Sequence, residues 1–86
     1  MPPLKLLRRP QLRERTGEGK STSDNRIRDG LLTPAIRLGP RLAAWPEHEI
    51  DAIVAARIAG KTDDEIRALV QDLVRERKNL PTQLGR

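Results

Sequence analysis

Cysteine, phenylalanine and tyrosine are absent from this 86-residue chain, and tryptophan occurs once. The lack of cysteine removes disulfides, thiolate nucleophiles and cysteine-ligated zinc together, and it suits a reducing cytoplasm, the expected location. A core without Phe or Tyr must be built from Leu, Ile, Val and Ala, which favours packed helices over a large β-sandwich. No apolar run approaches the roughly 18 residues of a membrane span. The basic stretch from Met1 to Pro10 lacks the continuous apolar segment of a signal peptide. The sequence therefore reads as one small soluble chain with a thin core.

Charge is present in quantity and is unevenly spread. Residues 1–45 carry ten Lys/Arg against four acids, whereas residues 46–86 carry seven against eight, so the net +5 resides in the first half. Charge polarised in this way suits a polyanion-binding face, because Lys and Arg displace counterions from phosphates. A merely solvated basic surface is the other reading. A membrane-surface role is disfavoured, since no segment joins that charge to a strong apolar face.

Leu4-Lys5-Leu6-Leu7 is a brief strand or a packing arm. Pro10 is placed to open a helix over residues 11–15, with Leu12 as its core residue, and Thr16-Gly17 stops it. After the turn at Glu18-Gly19, a second helix is predicted from Lys20 or Ser21 to Asp29, closed by Gly30. Ile27 is its one apolar residue, so neighbours must hold it. Thr33-Pro34 then breaks the helix. Ile36-Arg37-Leu38 and Arg41 to Trp45 read as two short strands around Gly39-Pro40, a hairpin with Arg37 and Arg41 near its tip.

The C-terminal half is more regular. Pro46 opens a helix whose first turns carry Glu47, Glu49 and Asp51, the favourable end for acids, and which Gly60 ends. Ile50, Ile53, Val54 and Ile58 fall on its apolar side. Thr62 and Glu65 form a capping box, and the helix behind them presents Ile66, Leu69, Val70, Leu73 and Val74 as one stripe. That stripe needs a covering surface, either its own domain or a second copy in a homodimer. Residues 80–86 read as a loose tail.

Enzyme chemistry finds little support. His48, the single histidine, lies in the first turn of a helix between Glu47 and Glu49, where it reads as a surface or capping residue. Asp63, Asp64 and Glu65 are explained by capping and dipole complementarity, and neither a metal nor a cofactor is expected. Gly17-Glu18-Gly19-Lys20-Ser21 lacks the spacing and preceding strand of a phosphate-binding loop. What remains is a short basic helix, a glycine turn and a polar second helix, the outline of a helix-turn-helix or of a polar loop between supporting helices. In the first reading Lys20, Ser21 and Thr22 lead into the major groove of duplex DNA while Asn25, Arg26 and Arg28 project along the helix. Arg37 and Arg41 would extend a wing towards the flanking backbone or minor groove.

Arg8-Arg9-Pro10-Gln11-Leu12, Arg15-Thr16-Gly17, Lys20-Ser21-Thr22, Ile27-Arg28-Asp29-Gly30-Leu31-Leu32, Ile36 to Arg41 and Ala44-Trp45-Pro46-Glu47 together resemble the AlpA family of prophage regulators. The resemblance covers roughly residues 5–60. It implies a winged helix-turn-helix, similar to MerR and excisionase domains, that binds DNA and adjusts transcription of prophage genes. It places Lys20, Ser21, Thr22 and Arg28 on the recognition helix, Arg37 and Arg41 on the wing, and Trp45 as the anchor between wing and following helix. The chain departs from the family pattern at Glu18, Ser23-Asp24 and Ala35, positions where apolar residues, Tyr or Pro are usual. The expected architecture is mainly α with a small β-hairpin wing: a winged domain over residues 1–60, a C-terminal amphipathic helix over 61–79 that packs or dimerises, and the tail. The expected function is sequence-specific DNA binding. Its alternative is a phage adaptor that keeps the winged fold and binds a host protein, an alternative motivated by the acids in the second helix.

Overall fold

Local chemistry sets the boundaries of each helix. In the computed structural model, which describes residues 4–80, the chain runs β1 (Leu6–Leu7), α1 (Arg9–Thr16), α2 (Lys20–Arg28), β2 (Ile36–Gly39), β3 (Leu42–Pro46), α3 (Glu47–Ile58) and α4 (Asp63–Glu76), ending in a 3-10 turn, Arg77–Asn79. Pro10 lies in the first turn of α1, where the N–H it lacks would have had no intrahelical acceptor. The Gln11 side chain accepts the Arg8 backbone N–H there at 3.1 Å. Gly17 ends α1 at φ 73°, a left-handed conformation that disfavours other residues, and donates its N–H to Arg13 at 2.8 Å. Gly30, at φ 78°, closes α2 in the same way, with its N–H and that of Leu31 bonded back to Ile27 and Arg26. The capping box of α4 is formed as expected: Glu65 N–H donates to Thr62 Oγ1 at 3.2 Å, and Thr62 N–H to Glu65 Oε1 at 2.9 Å.

The strands form one antiparallel sheet in the order β1-β3-β2. The hairpin pairs Ile36 with Ala44 and Arg37 with Ala43, and an irregularity follows before Gly39 meets Leu42. Ala43 and Ala44 are weak strand formers, yet Ala44 is fully buried and only a small side chain suits it. Leu6 and Leu7 add a third strand against Pro46 and Trp45, resolving the first apolar stretch as a strand. The chain is thus mostly helical with a small three-stranded sheet, the arrangement of a helix-turn-helix with a β-wing and an added C-terminal helix.

Leu7, Leu12, Leu31, Leu32, Trp45, Ile50, Ile53, Ile66 and Val70 make one continuous core. Trp45 is fully buried at its centre, and its indole N–H donates to the Thr33 carbonyl at 3.0 Å, tying the sheet to the segment after α2. Arg15 bridges α1 to α3 by pairing with Glu47 and with Asp51, the latter at 2.8 Å.

The apolar stripe of α4 turns towards the rest of the chain. Ile66 and Val70 are buried within the chain's own core, and Leu69, Leu73 and Val74 pack half-buried against it. The chain's own domain, one of the two expected covering surfaces, therefore covers part of the stripe, and Ile66 and Val70 share the core of Leu7, Leu12 and Trp45. Two other expectations need correction. Ile58 is 82% exposed instead of sharing the apolar side of α3. At 100° per residue it lies roughly 140° around the helix from Ile53, on the last turn. Glu49, read only as an acid complementing the helix dipole, is fully buried and receives both Arg77 Nε and Nη2, at 2.8 and 2.7 Å. Arg77 Nη2 also donates to the Pro34 carbonyl at 2.8 Å, so the 3-10 turn is fastened to the base of the hairpin. Of the expected tail, residues 81–86 lie outside the described residues. No helix among those described is long and apolar enough to cross a membrane.

Candidate nucleic-acid interface

Helix α2 follows α1 after the short turn Gly17–Gly19, and the burial of its side chains divides it into faces. Ser23 is 2% exposed and Ile27 packs against the core, so these two positions, four apart, define the inner side. Ser21, Thr22, Asn25 and Arg28 are exposed, and positions 21, 25 and 28 recur at helical spacing on the outer side. Four of the expected contact residues therefore share one solvent-facing stripe. Arg28 remains mostly exposed despite a 3.3 Å contact with Asp29.

Lys20 stands at the N-terminal end of α2, exposed, with Nζ 2.9 Å from Asp24 Oδ2. The other oxygen of Asp24 is held by Arg9 Nη2 at 2.7 Å. The hydrogen bonds from Lys20 and Arg9 keep the Asp24 carboxyl below the usual carboxylate range. Gly19 precedes the helix without a side chain to cap it, so the first-turn N–H groups of α2 receive no side-chain cap.

Arg26 does not join the outer stripe. Its guanidinium is half-buried and donates to Glu18 through Nη2 at 2.9 Å and Nε at 3.4 Å, bracing α2 against the preceding turn. The pairing lowers the Glu18 carboxyl and raises the Arg26 guanidinium. Arg26 thus acts inside the motif, where sequence reading had it projecting to a ligand. The C-terminal end of α2 is fixed from another side by Arg67 of α4, whose Nε donates to the Asp29 carbonyl at 3.0 Å.

Arg37 and Arg41 stand on the separate hairpin, both exposed. Arg37 folds back so that Nη2 donates to the Pro40 carbonyl at 3.0 Å, which leaves Arg41 as the freer charge at the tip. Leu38 and Leu42 are 47% and 39% exposed beside them. Arg9 is the residue that sequence reading missed. Its guanidinium lies 5.0 Å from the centre of the buried Trp45 ring, and its Nη1 is buried without a hydrogen-bond acceptor. The Arg8-Arg9-Pro10 run was visible as charge, but nothing local marked which arginine turns inward. His48 is half-buried, and no group of three His, Cys, Asp or Glu residues among those described is arranged to hold a metal ion.

Chemically, the outer face of α2 offers hydroxyl, amide and guanidinium groups on a helix whose inner side is marked by Ser23 and Ile27. Such groups hydrogen-bond to base edges and phosphates; none is arranged as a nucleophile with an adjacent base. No protein-family model matches the chain. No solved structure matches it either. The chain is 37% identical over 57 residues to the uncharacterized protein ORF88 of Enterobacteria phage P4. That match takes in 66% of this chain and 65% of the phage protein's length, so its relative comes from a phage.

Proposed function

We propose that the chain is a sequence-specific, duplex-DNA-binding transcriptional regulator of phage or prophage type, similar to the AlpA family. Helix α2 enters the major groove and the β2-β3 hairpin flanks it. The observation that carries this reading is the two-sided character of α2: Ser23 and Ile27 face inward, while Ser21, Thr22, Asn25 and Arg28 form an uninterrupted polar outer face. The inner pair anchors the helix to the core, and the outer residues are of the types that hydrogen-bond to base edges and phosphates. The excess of positive charge in the first half supports the same reading.

Asp24, the acid within α2 that motivated an adaptor reading, is compensated within the motif by Arg9 and Lys20, as Glu18 of the preceding turn is by Arg26. Fluorescence anisotropy with a labelled random duplex at rising salt separates the two readings. A DNA binder loses affinity steeply as salt rises; an adaptor shows no appreciable binding even in dilute buffer. Arg28→Ala is expected to weaken binding by about 5- to 150-fold at a selected site, the range for losing a base contact. Arg41→Ala is expected to weaken all sequences alike and to reduce the salt slope by about 1. Unchanged affinity in both variants would reject the assigned face.

A further inference from the structure

Two cations at the junction of α1 and α2 converge on one internal carboxylate. Asp24 receives Arg9 on one oxygen and Lys20 on the other, at 2.7 and 2.9 Å. Beside these contacts a groove of about 390 Å³ runs between the two helices, with Arg9, Arg13 and Lys20 along its walls. Arg13 is exposed and forms no ion pair among the described residues. Glu18 also lines the groove, but its charge is taken by Arg26 on the far side. The groove therefore gathers three cations, of which Arg9 and Lys20 are held by the neighbouring Asp24 and Arg13 is not.

We propose that this groove binds a phosphate group and that Asp24 is its internal competitor, holding Arg9 and Lys20 until a phosphate displaces it. A phosphate presents more acceptor oxygens than a carboxylate and can engage Arg13 as well. The backbone diester of duplex DNA and a free phosphate share this chemistry; assigning the diester rests on the DNA-binding reading above. In that setting Asp24 lowers non-specific affinity, because every backbone contact at the groove must first part an existing ion pair.

The test uses the full chain as wild type, Asp24→Asn and Arg13→Ala, with melting curves to establish that each is folded. One arm measures binding to a labelled random duplex. The other titrates inorganic phosphate and follows backbone amide signals by NMR. Asp24→Asn is expected to bind duplex about fivefold more tightly, the factor for one unit charge removed at about 4 Å in water. In the second arm phosphate shifts the amides of residues 19–22 and saturates at lower concentration in Asp24→Asn. Arg13→Ala weakens binding in both arms. Duplex affinity equal in wild type and Asp24→Asn, with phosphate shifts equal as well, overturns the proposal and leaves the DNA-binding reading standing. Absence of duplex binding in both, with phosphate saturating more tightly at residues 19–22 in Asp24→Asn, sinks the DNA reading and keeps the site for a free phosphorylated ligand. Phosphate shifts scattered over unrelated basic residues mark general screening and overturn the site.

Discussion

Replacing Arg77 with Ala removes the partner of a fully buried carboxylate. Glu49 accepts two hydrogen bonds from the Arg77 guanidinium, at 2.7 and 2.8 Å, and the same guanidinium satisfies the Pro34 carbonyl. Breaking a buried pair from one side costs about 3–5 kcal/mol, because the remaining charge stays desolvated without compensation. The Arg77 side chain is 21% exposed, so truncation opens a path for water to Glu49 and places the loss near the lower end, about 3 kcal/mol. For a chain of this size each kcal/mol moves the melting temperature by about 4–8 °C, which gives a drop of roughly 12–24 °C. Urea and thermal unfolding followed by far-UV circular dichroism measure both quantities. The double variant Arg77→Met/Glu49→Leu, which removes both charges and keeps apolar volume, should recover most of the loss. A single Arg77→Ala loss under about 1 kcal/mol, or no recovery in the double variant, would refute the view that this pair fastens the hairpin base.

Trp45→Phe keeps most of the buried ring but leaves the Thr33 carbonyl without its donor, and denaturant unfolding should show a loss of about 1–3 kcal/mol. Thr62→Ala removes the α4 cap and should cost about 1 kcal/mol, with faster amide exchange at Glu65; an unchanged exchange rate would contradict the cap. Glu18, Asp24 and Glu65 all have carboxyls held below their ordinary values, by Arg26, by Lys20 with Arg9, and by the Thr62 cap respectively. Their contribution to stability is fully present above the ordinary carboxylate range and is lost as pH falls through the lowered folded values. Unfolding measured across acid pH should therefore show a decline that flattens in the Glu18→Gln/Asp24→Asn variant, and an unaltered decline would sink that assignment.

The parts of the fold that were legible in the sequence are those written in local spacing. The α4 stripe and its Thr62-Glu65 cap, the Gly17 and Gly30 helix ends and the Gly39-Pro40 hairpin each lie within a few residues of their cause. Leu6-Leu7 was ambiguous because two residues carry no periodicity, and their partner strand lies some forty positions on. The Glu49–Arg77 pair spans 28 residues and left no local mark, since an acid in a first helical turn already has a sufficient surface explanation. Which surface covers the Ile66–Val74 face was likewise undecidable from the stripe alone, which is identical for internal packing and for dimerisation. At the candidate site, Ser21, Asn25 and Arg28 follow from helical spacing, but the diversion of Arg26 to Glu18 depends on how tightly the turn folds back. Asp24 was legible as a charge unfavourable to phosphate; its two cationic partners became visible only with α1 in place.

The internal placement of Ile66, Val70 and Arg77 bears on how the chain comes off the ribosome. Leu7, Leu12 and Trp45 are synthesised before the residues that seal them, Ile66 and Val70. A nascent chain halted at Gly60 would hold an unroofed apolar floor and an unpaired Glu49, so it should depend on chaperones or be degraded. Expression of residues 1–60 alone, an obvious shortcut for studying the basic half, should yield insoluble material for the same reason.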